Sequence, residues 1–364
     1  MTAPSEAIGA GNRPATAKPG WLESLRRLFA GASPPRPQTP GQHPGTPAAS
    51  PAGEDRTEPA VAATVTSSDK TGLDRRFSAL LLGAADLQSS PMQTSEREVV
   101  QAIDHLLLDP GDSALLPRLP AVLPRLISLV RRDDSSSREL TDSLGRDPTL
   151  VGEVIRIANS PRYRTERDIT NLQDAVVMVG QRGLVQLLIQ ATMRPIFELD
   201  GSRLNQAHCS LPWLLTERCA HACGQLAGHG SGIDPFHAYL AGMVANLGWI
   251  PALRQFGTVY RAPEAPVTIE FHDALALAAA RLSGSIARQW SFHEDVCEAV
   301  DRAAPGGATG GVNAPADRLA EALQIALRLA KWQLLAPAWT DADLEGLPDP
   351  ERRCCLELQR TFGA

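Results

Sequence analysis

The adjacent residues His272 and Asp273 are of two types that hold catalytic divalent cations. A cation bound by such a pair can activate a water molecule for attack on a phosphate. The surrounding stretch, EFHDALALAAA, is however typical of a helix start, where Asp273 would serve as an N-cap or first-turn carboxylate. We therefore predict a structural role for this pair rather than a metal site.

A second candidate metal group consists of Cys219, His221 and Cys223, with His208 and Cys209 upstream. On a helix, residues four positions apart share a face, whereas the residue midway between them points away. Structural zinc sites usually present two cysteines from a tight turn, together with a second pair of ligands. The spacing therefore predicts buried free cysteines that pack as small hydrophobic residues.

Three arginines, Arg162, Arg164 and Arg167, form a basic cluster directly after Pro161. Guanidinium groups bind phosphates, nucleotides and acidic protein surfaces through paired hydrogen bonds. This cluster is a candidate contact for a ligand or partner. Acidic residues within and beside it would offset part of the charge, so a solvated loop is the alternative.

The composition disfavours several classes of protein. The 364 residues carry a net charge of −6, which argues against nucleic acid as a partner. Six irregularly spaced cysteines indicate a reducing, cytoplasmic setting rather than a disulfide scaffold. No signal peptide is recognisable, and the most apolar stretch, 238–253, is too short to predict a membrane span. Motifs for a serine or cysteine nucleophile and for a phosphate-binding glycine loop are absent, so we predict no catalytic residue and no cofactor.

The N-terminal region, residues 1–72, differs from the rest of the chain. It holds eleven of the 29 prolines, among many small residues, which predicts disorder. Within it, Trp21, Leu25 and Phe29 fall on one face of a short amphipathic helix over 20–31. So short a helix needs a surface to fold against, and its own domain, a partner protein and a peripheral membrane contact all remain open.

From about Asp74 onward, apolar residues recur at the period of an α-helix, and no strand-like alternation of useful length appears. Helix starts are predicted at Asp147-Pro148 and Asp234-Pro235, where an N-cap precedes a proline, and at a capping box over 170–173. The stretch AYLAGMVANLGWI, residues 238–250, has the apolar character of a buried helix. The predicted fold class is all-α, a helical bundle.

Several stretches, in this order and spacing, resemble the HDOD family, the "HD-related output domain" of bacterial signalling proteins. They are LPRLPAVLPRLISLV, DPTLVGEVIRIANSPRYR, ITNLQDAVVMVGQRGLVQLLI and AYLAGMVANLGWI, spread over roughly residues 115–253. The resemblance implies a helical domain related to the HD superfamily of phosphohydrolases, which hold a metal with a His-Asp dipeptide and further ligands. It also implies a regulatory role in signal transduction.

The chain departs from the HD pattern at the residues that would hold the metal. Ala245 and Asn246 occupy the positions where the resemblance places the His-Asp dipeptide. Leu215, two residues after Trp213, occupies a position where the family often has a histidine. An alanine has no ligand atom and a carboxamide is uncharged, whereas a divalent cation needs charged or imidazole ligands to offset its dehydration. We therefore expect a degenerate, metal-free pocket at Leu215, Ala245 and Asn246.

These observations predict a non-catalytic HDOD-type signalling module that binds a protein partner or a small ligand such as a nucleotide. The alternative is a residual metal-dependent phosphohydrolase acting on nucleotides or cyclic dinucleotides, with ligands drawn from residues such as His221, His237 and His272. The predicted organisation is a tail over 1–72, a helical lead-in over 73–110, an HDOD-like domain over 111–304, a glycine-rich connector over 305–315 and a helical extension over 316–364.

Overall fold

The structure is a computed structural model, and it describes residues 70–84, 86–108, 115–130, 148–160, 168–199, 209–228, 231–259, 267–307 and 314–363. Two sets of predicted contact residues lie outside these ranges. The first is Trp21, Leu25 and Phe29 of the predicted amphipathic helix. The second is Arg162, Arg164 and Arg167 of the basic cluster.

The described residues form an all-α fold, as predicted, with one pair of two-residue parallel strands. The elements are, in order, α1 (Lys70–Leu82), β1 (Leu87–Gln88), α2 (Thr94–Leu108), α3 (Leu123–Val130), α4 (Pro148–Ala158), α5 (Leu172–Met193), a 3-10 helix (Arg194–Phe197), α6 (Leu211–Leu226), α7 (Pro235–Val244), α8 (Trp249–Val259), β2 (Val267–Thr268), α9 (Ile269–Gln289), α10 (Glu294–Ala303), α11 (Pro315–Leu335) and α12 (Asp349–Phe362). The short β1–β2 ladder pairs Leu87 with Val267 and was not predicted.

Helix starts follow local capping chemistry, with two corrections to the sequence predictions. At α7 the prediction is confirmed, because the Asp234 carboxylate accepts the Phe236 N–H at 2.9 Å. The capping box over 170–173 is wrong: the N-cap of α5 is Asn171, whose side chain accepts the Asp174 N–H at 2.8 Å. The prediction for Asp273 is also wrong, because α9 begins four residues earlier, where the Thr268 hydroxyl caps Phe271.

Helix α5 is interrupted at Gly180, whose φ of +73° lies in the left-handed region that glycine adopts without strain. The segment Leu172–Phe197 is the one described helix whose length and apolar composition would suit a membrane span. Its second half, from Leu184 onward, is packed into the protein core, and α5 lies against α3 and α4. We therefore regard it as a core helix.

The Asn159 side chain joins two of the stretches that resemble the HDOD family. The Asn159 side-chain Nδ2 donates to the Ile169 carbonyl at 2.7 Å, and the Ile169 N–H donates back to the Asn159 Oδ1 at 2.8 Å. This paired bond ties the end of α4 to the chain entering α5. The asparagine of the IANSP stretch thus has a structural role. Its side-chain amide pairs with both the N–H and the carbonyl of Ile169, as a backbone peptide group would.

The centre of the molecule is α6, which packs against α7, α11 and α12. Helices α6 and α7 approach closely at Gly242, where a Cβ atom would lie 2.5 Å from the Ala220 Cα. The first and last helices are part of the same core. Leu73, Phe77 and Leu81 of α1 are almost fully buried, and Asp74 of α1 pairs with Lys331 of α11 at 2.5 Å.

A buried carboxylate joins the start of α2 to the start of α9. Glu96 is fully buried, and its two oxygens accept the Gln93 N–H, the Thr268 N–H and the Thr268 hydroxyl at 2.7–2.9 Å. Three donors on one carboxylate offset its desolvation, so the charge can stay in the core.

We expect Glu96→Ala to lower the free energy of unfolding by about 3 kcal/mol, because it leaves buried donors without an acceptor. The control is Glu98→Ala, on the exposed side of the same helix, which should change stability by less than about 0.5 kcal/mol. Urea denaturation of both variants measures the difference. Equal stabilities would show that the three bonds contribute nothing net.

Candidate functional site

A cavity of about 570 Å³ opens where the C-terminal ends of α7 and α10 meet the middle of α11. Much of its wall is apolar and built from small side chains, including Ala245, Ala276, Ala280, Val300 and Ile325. Its polar residues are Asp74, Asn246, Glu321, Gln324, Arg328, Lys331 and Glu351. The wall therefore combines residues of the predicted domain with residues from the predicted lead-in and extension.

Ala245 and Asn246 lie in a turn between α7 and α8, and not inside one buried helix as predicted. The chain turns here because Gly248 sits directly against α9. A Cβ atom at this position would lie 1.8 Å from the Ala279 carbonyl oxygen, and the Gly248 N–H donates to the Ser283 hydroxyl at 2.9 Å. This contact holds the turn in place and aims Asn246 at the cavity.

The Asn246 side chain is 2% exposed, and its amide nitrogen has no hydrogen-bond partner. The Cys219 sulfur lies nearby. Burial raises the pKa of the Cys219 thiol to about 12, against smaller lowering effects of Lys331 and the Asn246 amide. The Asn246 amide is thus within hydrogen-bonding reach of the Cys219 sulfur, and a thiol is only a weak acceptor.

Two cations stand in the cavity wall, each beside a carboxylate. Lys331 pairs with Asp74, and Arg328 pairs with Glu351. The Arg328 Nε, which is buried, has no hydrogen-bond partner. The two ion pairs nearly cancel, and Glu321 adds a third carboxylate to the wall.

The remaining sequence candidates lie outside the cavity wall. His272 is buried in α9, and its Nδ1 lies 2.7 Å from an Asp273 oxygen. Burial lowers the pKa of His272, and Asp273 raises it by a smaller amount. The net lowering favours the neutral imidazole. Leu215 is fully buried in α6 and does not line the cavity, so only two of the three predicted pocket residues meet there.

The cysteines of α6 are free and buried, as predicted. Burial also raises the pKa of Cys223 well above its ordinary value, which keeps the thiol protonated and unreactive. His221 packs its ring edge against Phe362 of α12 at a centroid distance of 5.8 Å. The structure therefore does not bring Cys219, His221 and Cys223 together as a metal site.

Comparison with known proteins decides the family. The family model of the HDOD domain matches residues 116–304. The chain belongs to the HDOD domain family. This match confirms the resemblance seen in the sequence. The matched residues begin at Leu116, shortly before α3, and end at the end of α10.

Solved HDOD-like structures share the fold at low sequence identity. A candidate metal-dependent phosphohydrolase from Shewanella amazonensis SB2B is 20% identical, with a TM-score of 0.52 over 74% of this chain and 100% of that one. An HDOD domain protein of unknown function from Geobacter sulfurreducens is 18% identical, with a TM-score of 0.50 over 74% of this chain and 90% of that one. These structural similarities show the fold only, and the activity must be argued from the residues of the site.

One curated relative was found by sequence, a protein of Treponema pallidum (strain Nichols) without an assigned function. It is 23% identical over 134 residues, which is 36% of this chain. The chain spans only a quarter of the length of that relative, 25%, so the comparison concerns one segment of it.

The HD metal of phosphohydrolase relatives does not fit this HDOD cavity. The two residues at the dipeptide position offer a methyl group and an uncharged amide, and the wall contains no imidazole. The carboxylates of the wall are Asp74, Glu321 and Glu351, of which the first is paired with Lys331 and the last with Arg328. They do not form the His-Asp ligand set that the HD resemblance implies, so the residues present do not fit that metal.

Sequence reasoning identified Ala245 and Asn246 but missed Asp74, Arg328 and Lys331. These three lie in segments that the prediction placed outside the HDOD-like domain. Asp74 and Lys331 are 257 positions apart, and no local pattern links them. Helices α1 and α11 both carry several other charged residues, so nothing in the sequence singled out these three.

Proposed function

We propose that this HDOD domain is a non-catalytic regulatory module of bacterial signal transduction that binds a small ligand in its cavity. The observation that supports this most is that Ala245 and Asn246, at the position of the HD metal ligands, line a cavity of about 570 Å³. A cavity of this size with polar residues in its wall is the usual form of a small-molecule site. Binding then replaces catalysis at the ancestral site.

The cavity defines the chemistry of its ligand. Its volume of about 570 Å³ suits a small organic molecule. The polar residues Asn246, Arg328 and Lys331 of the wall would suit carbonyl, ring-nitrogen or phosphate acceptors, and the alanine-rich wall would contact a flat apolar group. A nucleotide or a nucleobase-containing messenger has both features.

A regulatory module also needs a receiver of its signal. We propose a protein partner in a cytoplasmic signalling pathway, which the ligand would favour or disfavour through the helices around the cavity. The family membership and the absence of a fitting metal set support this role. The helix predicted over 20–31 and the arginine cluster at Arg162, Arg164 and Arg167 remain the candidate contacts for that partner.

Thermal unfolding with a panel of nucleotides and cyclic dinucleotides tests the ligand. We expect at least one compound to raise the Tm of the full chain, by an amount that grows with its concentration. Ala276→Phe, which fills the cavity, should abolish the shift, whereas Val177→Phe places the same aromatic ring at an exposed site on α5 and should preserve it. A shift that survives Ala276→Phe would place the binding elsewhere.

A metal-dependent phosphohydrolase is the second candidate. It is favoured by a cluster of His237, His293 and Asp295, the one group of this kind found among the described residues. The cluster is not in the cavity wall, so a hydrolase built on it would have to act at the protein surface. We consider it a metal site with a structural or regulatory role.

A further inference from the structure

Two histidines from different helices meet at the opposite end of α7 from the cavity. His237 lies in the first turn of α7, and His293 is the N-cap of α10. Their rings stack with centroids 4.9 Å apart and planes inclined by 22°. Because the C-terminal ends of the same two helices line the cavity, α7 and α10 run side by side from this histidine pair to the cavity.

Each histidine has a carboxylate from its own helix start beside it. An Asp295 oxygen lies 3.4 Å from the His293 Nδ1, and an Asp234 oxygen lies 3.9 Å from the His237 Nδ1. Ligand atoms of His237, His293 and Asp295 all lie within 4.8 Å of one another. Two imidazoles and a carboxylate are a ligand set that binds zinc.

The distances are close to those of a filled site. Ligand atoms about 2.1 Å from a tetrahedral zinc ion are about 3.4 Å apart, which the His293–Asp295 pair already satisfies. Separations of up to 4.8 Å within the group must shorten by about 1.4 Å, and the stacked rings must turn so that both imidazoles direct a nitrogen at the same ion. The His293 and Asp295 side chains are exposed enough to rotate in this way. The Asp295 N–H donates to the His293 Nδ1 through a long bond of 3.3 Å, which a metal at that nitrogen would replace.

We propose that His237, His293 and Asp295 form a surface site for a divalent transition metal such as Zn²⁺. The ion clamps the N-termini of α7 and α10 together. The site lies about 12 Å from the cavity, given eight residues of helix at 1.5 Å each. It is therefore structural or regulatory, and it does not depend on the ligand proposed for the cavity.

Isothermal titration of the untagged, chelator-stripped full chain with ZnCl₂ tests the site. We expect one Zn²⁺ per chain and a rise in Tm on loading. His293→Ala and Asp295→Asn should each weaken binding at least tenfold, and the second variant keeps the helix start nearly unchanged in shape. His105→Ala removes an exposed histidine from α2 and should bind Zn²⁺ as the parent does.

Cobalt substitution excludes the six free cysteines as the source of binding. A Co²⁺ complex of histidines and carboxylates shows d–d absorption without the thiolate charge-transfer band that cysteine ligands add. Parent-like Zn²⁺ affinity in both cluster variants, or a thiolate band in the Co²⁺ form, would overturn the proposal.

Discussion

Gly248→Ala should lower the free energy of unfolding by about 3 kcal/mol or more, because the added methyl group has no room between the α7–α8 turn and α9. The new Cβ would lie 1.8 Å from the Ala279 carbonyl oxygen and 2.7 Å from the Ser283 nitrogen. Both are backbone atoms of a helix, so they cannot rotate away as a side chain would. The turn must separate from α9, which also breaks the bond from the Gly248 N–H to Ser283.

The matched control is Gly152→Ala, within α4. A Cβ atom there meets nothing within 4 Å, and the residue is exposed. Alanine is a better helix former than glycine, so this variant should be as stable as the parent or more stable by up to about 1 kcal/mol. Chemical denaturation of the two variants measures the contrast. If both change stability alike, the close contact at Gly248 is wrong.

Phe77→Ala should cost about 3–5 kcal/mol, because a large fully buried ring is lost from the interface of α1 with α11. The effect matters for the domain boundary. Residue 77 lies in the predicted lead-in, upstream of the HDOD match, yet the ring packs in the same core and lies 6.0 Å from the Lys331 Nζ. We therefore expect a folded module that contains the cavity to begin no later than α1, upstream of the predicted boundary at residue 111.

Leu108→Ala provides the control for Phe77→Ala, since Leu108 is 82% exposed at the end of α2. Its removal should change the free energy of unfolding by less than about 0.5 kcal/mol. A Phe77→Ala variant that keeps the Tm of the parent would mean that α1 is an independent appendage and that the cavity closes without it.

Helix positions were predictable because capping and periodicity are local. Pro148, Pro235 and Pro315 each occupy the first position of a helix, and apolar spacing shows which face is buried. The break between α7 and α8 was not predictable in the same way. The stretch 238–250 is apolar throughout, and the turn arises from the contact of Gly248 with a helix that begins 21 residues later.

The loss of the His-Asp dipeptide could be read directly from Ala245 and Asn246, given the family resemblance. The polar residues that line the cavity instead could not be predicted, because Lys331 and Asp74 reach it from segments far apart in the chain. The histidine cluster could be predicted only in part. His237 and His293 each sit at a helix start beside an aspartate, which the sequence shows, but only the packing of α7 on α10 brings the two starts together.

Steady-state hydrolysis of phosphodiesters tests most directly whether the cavity binds without catalysis. The full chain would be assayed with Mn²⁺, Mg²⁺ or Zn²⁺ on bis(p-nitrophenyl) phosphate and on the cyclic dinucleotides of the binding panel. We predict no metal-dependent release of product above the buffer rate, while a panel compound still raises the Tm. Metal-dependent turnover that Asn246→Ala abolishes, with the fold intact, would contradict this account.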